Sequence, residues 1–423
     1  MLHAPMPNPN PTPLPPSSAA SPHTPTSRLK VAQVTTVAVS VVALMKGWPA
    51  FLARRGVEVH TISSPGAALA EFARREGVAR VHEIPIARPI APLADLVSLW
   101  RLWRLMRRER FTLVHASTPK GGLLGTLAAW LTRVPVRVYT LRGLPLAVAT
   151  GFKRRVLWWT DWLAMRLATH VTAISPSLRQ EAIELGLVPA RKCVVIGGGS
   201  SNGIDADRFT RRRPAADAPL RRDWNIPRDA LAIGFVGRIV RDKGVVELEA
   251  AWRKLRDRFA QAYLVLVGTP EPQDPVADDV MQRLRADERV RLPGWYDDTV
   301  ACFEALDLLV LPTYREGFGN VYLEANAMEL PVVGTAITGV RDAVADGRTG
   351  LLVPPRDAAA LADAIERLLS DAALRARMGR AGRERAVHDF RPEAIWEGMF
   401  ALYRAALAER GVRISDRGSR TED

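Results

Sequence analysis

The sequence predicts an α/β protein built from two doubly wound, parallel-sheet domains that face a cleft. Short apolar runs of strand length alternate with stretches whose apolar residues recur at helical spacing. This alternation is typical of βαβ units, in which helices cover a parallel sheet. It stops at an arginine- and proline-rich segment, RRRPAADAP, and then starts again, which indicates a second domain. Because such sheets bind ligands beyond the carboxyl ends of their strands, we expect the site in the cleft.

The predicted strands define the domain boundaries. In the first domain, placed at 29–208, they are LKVAQVTTV, VEVHTI, FTLVHAS, VPVRVYTL, HVTAIS and KCVVIG. In the second domain, placed at 229–391, they are LAIGFVG, AYLVLVG, VRLPG, LDLLVLP and PVVGTAI. Residues 209–228 are predicted to be a linker, and residues 392–410 are predicted to be a C-terminal helix.

Both ends of the chain, 1–28 and 411–423, are predicted to be tails. The first 27 residues contain no Asp, Glu, Lys or Arg and are rich in Pro, Ser and Thr. Such a segment buries too little apolar area to become ordered, and it lacks the basic start and apolar run of a signal peptide. The uncharged stretch VAQVTTVAVSVVALM that follows is short for a membrane span and rich in β-branched residues. It is predicted to be a buried strand running into its loop rather than a membrane anchor.

Charge differs between the two halves. The net charge is +14, but residues 28–212 carry 28 basic and 11 acidic side chains, whereas the residues after them carry 31 and 34. Seven of the eleven tryptophans also lie in 28–212. A basic, Trp-rich half favours an anionic surface or substrate as its partner. The two cysteines have no CxxC spacing, which excludes a disulfide framework and favours a reducing compartment.

A basic turn follows the strand LAIGFV and reads Gly237-Arg238-Ile239-Val240-Arg241-Asp242-Lys243-Gly244. Arg238 is suited to bind phosphate oxygens through two parallel hydrogen bonds, and Lys243 adds a point charge. The glycines permit close approach of the backbone to a diphosphate. Taken alone, the same turn is better explained as a solvated basic loop, although the scarcity of lysine in this chain favours the binding role slightly.

A second glycine-containing turn, Glu316-Gly317-Phe318-Gly319-Asn320, follows LDLLVLP and opens a helix. Gly317 and Gly319 free the backbone to present N–H groups to a phosphate. Glu316 is placed to hold sugar hydroxyls, and Glu324, about one turn into the helix, to accept hydrogen bonds from a ribose. The alternative role of Glu324 is compensation of the helix dipole. The presence of both turns favours the binding role.

The first domain offers weaker signals. Thr118-Pro119-Lys120-Gly121-Gly122, after FTLVHAS, is either an anion-binding turn or a tight strand-to-helix connection, and the GGGSS segment at 197–201 has the same two interpretations. Two basic and aromatic stretches, 96–108 and 152–162, favour contact with a membrane surface. The alternative is that their tryptophans are core residues and their arginines are solvated.

Several catalytic and metal motifs do not occur in the sequence, namely a P-loop, a complete GxGxxG, HExxH and GxSxG. The single DxD, Asp205-Ala206-Asp207, lies beside Asn202-Gly203 and is predicted to be a turn. The seven histidines show no ligand spacing. His115, at the end of a strand that points towards the cleft, is the one histidine considered for a site. No metal site is predicted.

Together these residues resemble family 4 glycosyltransferases with the two-Rossmann-domain (GT-B) architecture, from Leu29 to about Arg410. In the second domain the resemblance is carried by GRIVRDKG, LVLVG, RLPGW, DLLVLPTYREGFGNVYLEANAMELPVVGT and GLLVPPRD. In the first domain, VEVHTISSPG, HASTPKGGLLGTLAA, VYTLRGLP, AISPSL and GSSNGIDADRF are similar to a subgroup that acts on polyprenyl-diphosphate-linked sugars in bacterial surface-polysaccharide assembly.

The resemblance implies a retaining transfer from a nucleotide sugar, commonly a UDP-sugar, without a cofactor or an essential metal. It implies that the C-terminal helix crosses back onto the first domain. It also assigns roles to matching positions. Catalytic roles in stabilising the leaving diphosphate and holding the donor sugar fall to Arg238, Lys243 and Glu316. Further contacts with the donor sugar, ribose and base fall to Gly237, Leu292, Gly294, Gly317, Phe318, Gly319 and Glu324.

The acceptor side departs from the family pattern. Many members carry a His in the loop after the strand VPVRVYTL, where this chain has Thr140-Leu141-Arg142-Gly143. Arg142 does not act as a base at neutral pH, but its charge suits the phosphate of an acceptor. The glycine pair of the first loop in many relatives is also missing around 40–46. The candidate acceptor-binding residues are His115, Lys120, Gly121 and Arg142.

The leading hypothesis is a retaining glycosyltransferase at the cytoplasmic face of the cell membrane. Its expected partners are a nucleotide-sugar donor, a lipid-diphosphate-linked sugar acceptor and the anionic membrane surface. A same-fold alternative is a nucleotide-sugar epimerase or hydrolase. The basic charge also leaves a nucleic-acid-binding protein or a membrane adaptor as alternatives of another class, although the sequence shows no module for reading nucleic acid.

Overall fold

The computed structural model describes residues 29–89 and 91–412. Their strands form two parallel sheets, one of seven strands and one of six. This confirms the predicted fold class, two doubly wound α/β domains. The predicted tails 1–28 and 411–423 lie outside the described residues, except for residues 411 and 412.

The first sheet has the strand order β3-β2-β1-β4-β5-β6-β7, so the order reverses between β1 and β4. Its strands are β1 (Lys30–Val34), β2 (Glu58–Ser63), β3 (Arg80–Glu83), β4 (Leu113–Ser117), β5 (Val136–Leu141), β6 (His170–Ala173) and β7 (Cys193–Val195). The helices of this domain are α1 (Ala38–Leu44), α2 (Trp48–Arg54), α3 (Ala68–Glu76), α4 (Pro92–Glu109), α5 (Pro119–Leu131), α6 (Gly151–Leu167) and α7 (Pro176–Glu184).

The second sheet has the order β10-β9-β8-β11-β12-β13, and its order reverses between β8 and β11. Its strands are β8 (Leu231–Val236), β9 (Ala262–Val267), β10 (Val290–Gly294), β11 (Leu308–Leu311), β12 (Val332–Thr335) and β13 (Gly350–Val353). The remaining helices are α8 (Pro219–Asp223), α9 (Val245–Leu255), α10 (Asp278–Ala286), α11 (Thr299–Glu304), α12 (Asn320–Ala327), α13 (Val340–Ala343), α14 (Ala358–Ser370), α15 (Ala372–Asp389) and α16 (Pro392–Ala408).

The stretch after the first strand differs from the expectation. Strand β1 ends at Val34, and the β-branched residues that follow form the short helix α1 instead of a loop. Val41 and Met45 of this segment pack against Leu69 and Phe72 of α3. Tertiary packing on a neighbouring helix therefore outweighs the weak helix propensity of valine.

The predicted linker is also more ordered than expected, because it contains α8 and packs on the second domain. The Arg221 side chain is buried, forms an ion pair with Asp307 and donates to the carbonyl oxygens of Ala305 (3.0 Å) and Ala230 (2.8 Å). A buried guanidinium with all these partners fixes the segment, since removing any one leaves charge uncompensated.

Helix α16 lies against the first domain. Phe400, Tyr403, Ala406 and Leu407 share one buried cluster with residues of β1, α2 and β4. The contact is so close that a side chain at Gly47, which has φ +81°, would overlap the indole of Trp396. The core of the first domain is thus completed by α16, which follows the second domain in the sequence.

One face of the first domain exposes large apolar side chains. Helices α4, α5 and α6 pack side by side on the same face of the sheet, as right-handed crossovers require. We call their outer surface the aromatic face; its exposed apolar residues are Leu93, Leu96, Val97, Trp100, Trp130, Leu131, Phe152 and Trp159. Within 29–89 and 91–412, no helix is long and apolar enough to span a membrane.

Candidate active site

The loops that follow β8, β9 and β11 meet at the carboxyl edge of the second sheet. The backbone N–H of Ile239 donates to Thr269 O at 2.9 Å, and the N–H of Tyr314 donates to Asp242 O at 2.8 Å. A side chain at Gly244, φ +73°, would overlap Pro312 O, so only glycine permits this packing. The two glycine-containing turns that the sequence singles out are therefore neighbours in space.

Lys243 and Glu316, one from each turn, form an ion pair. Their side chains are only 15% and 20% exposed, which limits screening by solvent. The pair places a fixed cation and a fixed carboxylate side by side at the cleft. A diphosphate is attracted by the first group, and sugar hydroxyls are suited to the second.

Arg238 lies further out. Its guanidinium is about half exposed and pairs with Glu271 at 2.7 Å. Gly237, just before it, bonds through its N–H to Val267 O at 3.0 Å. Arg238 must leave Glu271 or be shared with it to contact a phosphate, so its electrostatic contribution is smaller than that of the enclosed Lys243.

The glycines of the second turn are explained by close packing across the cleft. A side chain at Gly317 would overlap the carbonyl oxygen of Arg142, which belongs to the first domain. Gly319 begins α12 with φ +87°, a conformation that favours glycine. The Phe318 ring is buried against Phe390 at 5.5 Å, so only the backbone of Phe318 is left to face a ligand.

Glu324 lines a cavity of about 420 Å³ between the two domains. Burial raises the pKa of Glu324 to about 7, and Arg208 acts in the opposite direction. Arg208 also pairs with Asp298 at 3.3 Å, which links the cavity to the segment that follows β10. Lys243, Glu316 and Gly294 do not line this cavity.

The region expected to hold the base is formed by the end of β10. Gly294 has φ +86°, and its carbonyl oxygen accepts a hydrogen bond from Gly268 N at 2.8 Å. Leu292 packs against the second-domain core, and the neighbouring Trp295 is 61% exposed. Gly294 therefore presents backbone without a side chain beside the exposed ring of Trp295, an arrangement that suits a planar base.

Three of the four candidate acceptor residues have other roles in the structure. Lys120 forms an ion pair with Asp95 at 2.6 Å and thereby ties α5 to α4. The Gly121 N–H donates to Thr36 Oγ1 at 3.0 Å, and a side chain there would overlap the backbone of Thr35. The turn at 118–122 is thus a tight connection rather than an anion-binding turn.

His115 is the third of them. Its two ring nitrogens hydrogen-bond Tyr403 Oη and Thr140 Oγ1, both at 2.6 Å. Burial lowers the pKa of His115 to about 3, so the ring is neutral at physiological pH. With both nitrogens bonded inside the protein, His115 holds α16 and β5 together instead of offering a group to an acceptor.

Arg142 is the acceptor candidate that the structure does place in the cleft. It lines a small cavity with His115, Trp396 and Met399, and its Nη1 donates to Ser201 O at 3.1 Å. Its buried Nε has no partner among the described residues. Burial lowers the pKa of Arg142 to about 10, so the group stays charged at neutral pH. A cation with an unused donor is suited to an anionic ligand.

Contacts across the cleft hold the two domains together. Ser200 Oγ donates to Asn320 Oδ1 at 3.2 Å, and Gly199 lies against Phe318. The segment 197–201 is therefore a domain contact, not an anion-binding turn. On the other side, Asp342 accepts hydrogen bonds from the backbone N–H of Ser177 at 3.0 Å and from its hydroxyl.

The structure adds site residues that the sequence did not indicate. Lys46, Arg208 and Asn320 line the same cavity as Glu324, although they come from the first domain, the domain junction and α12. Burial and Arg208 lower the pKa of Lys46. Asn320 was visible as the residue after the glycine turn, but nothing in the sequence places Lys46 opposite it.

No group of three or more His, Cys, Asp or Glu residues suited to a metal ion is present in the part of the chain that the structure describes. The carboxylate of Asp205 in the DxD accepts a hydrogen bond from Arg208 N at 3.0 Å, as in a turn.

Two facing Rossmann-type domains, with two glycine-containing turns at the carboxyl edge of the second sheet, form the GT-B architecture. Residues 35–199 match the family described as "Glycosyl transferase 4-like domain", and residues 230–371 match "Glycosyl transferases group 1". The capsular polysaccharide biosynthesis glycosyltransferase CapM of Staphylococcus aureus is 36% identical over 380 residues, which are 90% of this chain and 98% of CapM. The chain belongs to this family of glycosyltransferases.

More distant relatives agree with the family and the fold. Alpha-maltose-1-phosphate synthase of Mycolicibacterium smegmatis is 33% identical and matches 71% of this chain and 80% of that protein. The crystal structure of Anabaena HepE in complex with UDP and glucose superposes with a TM-score of 0.76 at 21% identity, covering 89% of this chain and all of HepE. Sucrose-phosphate synthase from Thermosynechococcus elongatus gives a TM-score of 0.73 at 24% identity, with 90% and 100% covered.

Proposed function

We propose that this glycosyltransferase moves a sugar from a UDP-sugar to a polyprenyl-diphosphate-linked sugar, with retention of configuration and without a metal ion, in the assembly of a surface polysaccharide. The observation that carries the donor side is the enclosed Lys243–Glu316 ion pair at the two glycine turns. Similarity to CapM, a capsular polysaccharide glycosyltransferase, supports the polysaccharide pathway.

Catalysis in this proposal is mainly electrostatic. Negative charge develops on the departing diphosphate as the bond to the sugar breaks, and a preorganised cation lowers the energy of that state. Lys243 is the enclosed cation, Arg238 adds a second charge from the rim, and Glu316 orients the sugar. Glu324 holds the ribose. No cofactor takes part. The UDP and UDP-glucose complexes of HepE, which shares the fold, support a uridine nucleotide as donor.

Arg142 is proposed to bind the diphosphate of the acceptor. Its main-chain carbonyl packs on Gly317 of the donor turn, and its side chain keeps a free donor in the adjacent cavity. This arrangement supports an acceptor diphosphate held next to the donor sugar. Apolar residues of α1 and α16, among them Leu44 and Met399, line the same cavity and suit the start of a lipid chain.

The aromatic face supports docking on the cytoplasmic face of the membrane. It carries exposed apolar side chains such as Trp100 and Phe152 between arginines of α4 and α6. Cationic helices with exposed tryptophans bind anionic interfaces through both charge and buried apolar area. Docking there would bring the first domain to the lipid acceptor.

The test of the donor side is Lys243→Ala. Loss of one preorganised charge donor is expected to lower kcat by about 100- to 1,000-fold, measured as UDP release with a lipid-diphosphate-sugar acceptor. Lys254→Ala is the matched control, because Lys254 is exposed on α9 and has no ion-pair partner in the described part of the chain. A Lys243→Ala enzyme with near-normal kcat would refute the proposed role.

Four further measurements test the remaining parts. Proton NMR of the first product formed must show the anomeric configuration of the donor, and chelator treatment must leave the rate unchanged. Full-rate UDP release without any acceptor would instead indicate a hydrolase. Sedimentation with vesicles must depend on anionic lipid and fall with salt; binding that ignores lipid charge would contradict membrane docking.

A further inference from the structure

A separate cavity of about 400 Å³ lies at the C-terminal end of α6, away from the cleft residues. It is enclosed between α6 and the segment that leads into β7. We call it the basic pocket; the residues that define it are Trp162, Arg166, Leu187, Pro189, Arg191 and Lys192. Every charged residue that lines it is basic.

The walls of the basic pocket are fixed by hydrogen bonds. Trp158 Nε1 donates to Leu185 O at 2.8 Å, and the ring of Trp158 stacks on Trp162 at 6.3 Å. Arg179 donates to Cys193 O at 2.7 Å and to Ala190 O at 3.0 Å, which holds the far wall. The backbone wall and the tryptophan wall of the pocket are therefore fixed, while the side chains of Arg166 and Arg191 are exposed at its rim.

The charges in the pocket are not neutralised by the protein. Lys192 Nζ donates to Met165 O (2.7 Å) and Arg166 O (3.1 Å) at the end of α6. Arg166 and Arg191 are exposed and form no ion pair within residues 29–89 and 91–412. Burial and three neighbouring arginines lower the pKa of Lys192 to about 8, and no carboxylate raises it. Binding of an anion would reduce the repulsion between these basic side chains.

The pocket continues the exposed stripe of α6. Phe152, Arg155 and Trp159 are exposed at spacings of three and four residues, and Trp162 and Arg166 follow in the same register. Residues three and four apart lie on one face of a helix. A membrane that meets the aromatic face along α6 therefore reaches the basic pocket at the level of its headgroups, where tryptophan is favoured.

We propose that the basic pocket binds the phosphate group of an anionic phospholipid, with a preference for a phosphomonoester headgroup. The inference rests on the membrane docking proposed above. Three cations around one cavity match a group that carries nearly two negative charges near neutral pH. Arg166 and Arg191 are placed to form bidentate hydrogen bonds with its oxygens, while Lys192 adds a point charge. The headgroup would fix the orientation of the first domain on the bilayer.

The experiment compares vesicles of phosphatidylcholine alone, with phosphatidylglycerol, and with phosphatidic acid, the last two matched in surface charge. The full chain is expected to bind the phosphatidic acid vesicles about tenfold more tightly than the phosphatidylglycerol vesicles. The double variant Arg166→Gln/Arg191→Gln is expected to lose this preference and to keep binding to phosphatidylglycerol vesicles. Lys192 is left intact because it caps α6.

Two controls separate the pocket from general charge. Lys153→Gln/Arg155→Gln, on α6 but outside the pocket, is expected to weaken binding to both anionic vesicles equally. Arg253→Gln/Arg285→Gln changes the net charge by the same amount on the exposed surface of the second domain and is expected to alter neither affinity.

Each other outcome overturns a defined claim. Equal binding to both anionic vesicles, or an equal loss in the Arg166/Arg191 variant, refutes the headgroup site but leaves membrane docking intact. Binding to no anionic vesicle refutes both. If inorganic phosphate raises the Tm of the wild type but not of that variant, while vesicle preference is missing, the pocket binds a free phosphate and the lipid assignment is wrong.

Discussion

Glu324 is a carboxyl group that changes protonation near neutral pH, because burial raises its pKa to about 7. The ionised carboxylate has two acceptor oxygens and no donor, so it accepts a hydrogen bond from each of two ribose hydroxyls, whereas one oxygen of the protonated form is a donor. The KM for the UDP-sugar is therefore expected to fall by about tenfold between pH 6 and pH 8, as the ionised fraction rises.

Glu324→Gln tests this dependence. The variant is expected to show a KM that is higher at pH 8 and nearly constant with pH, measured by initial rates at varied donor concentration. Glu384→Gln, an exposed residue of α15, is the control and should keep the wild-type profile. A Glu324→Gln enzyme that retains the full pH dependence of KM would show that another group titrates.

Asp161 is a buried carboxyl group outside the site. It is 3% exposed, its Oδ2 has no partner among the described residues, and burial raises its pKa to about 7. Since the folded state holds this proton more tightly than the unfolded state, stability from this group falls as pH rises from about 4 to about 7.

Asp161→Asn removes the buried charge. At pH 8 the free energy of unfolding is expected to rise by up to about 4 kcal/mol, since each pKa unit corresponds to about 1.4 kcal/mol, and at pH 4 the variant and the wild type should be nearly equal. Urea denaturation at both pH values checks this. A gain of equal size at both pH values would contradict a titration effect.

The sequence predicted the two glycine-containing turns that the structure brings together, but not the partners of the acceptor candidates. Lys243 and Glu316 were predictable because each lies in a glycine-containing turn after a strand. Lys120 and His115 were misleading, since their roles depend on partners distant in sequence, Asp95 for one and Tyr403 for the other. The sequence shows that a side chain is polar, but not which residue of the folded protein forms a hydrogen bond or an ion pair with it.

At the scale of elements, apolar runs predicted most strands, but they did not predict strand β3. Strand β3 reads RVHE and its residues are exposed or half-buried, so it has no apolar run to detect. It pairs as the edge strand beside β2. Helix α1 was missed because it is rich in valine, which favours a strand. Packing against α3 stabilises the helix instead.

Tyr403 attaches helix α16 to the first domain. Its hydroxyl hydrogen-bonds Gln33 Nε2 at 3.1 Å and His115 at 2.6 Å, inside the first domain. Tyr403→Phe leaves both groups buried without this partner and is expected to lower the free energy of unfolding by about 1–3 kcal/mol, measured by denaturant titration. Tyr263→Phe is the control, because that hydroxyl makes no hydrogen bond in the described residues. Equal losses would contradict this role of Tyr403.

At the scale of the whole molecule, Asp342 links the two domains. Its carboxylate accepts from the first turn of α7, and Ser177 Oγ also accepts from Gly339 N at 2.7 Å. A side chain at Gly339 would overlap Gly317, so this link reaches the donor turn. One carboxylate at a helix N-terminus is thus among the contacts that join the two domains.

Asp342→Ala is expected to open the cleft. Small-angle scattering should show a larger radius of gyration, and addition of UDP should reduce the difference, since a ligand that contacts both domains favours the closed form. Asp363→Ala, at an exposed position on α14, is the control. An unchanged radius of gyration in the Asp342 variant would show that the other cleft contacts suffice.

The position of α16 also has a consequence for biosynthesis. The apolar layer formed by Leu52, Val59 and Leu113 is covered by Phe400 and Leu407, which follow the second domain in the sequence. While the ribosome makes the second domain, this apolar layer of the first domain is therefore still uncovered. Such exposed surface invites aggregation or chaperone binding. Nascent chains of this protein should consequently depend on holdase chaperones until α16 has been synthesised and packs on the first domain.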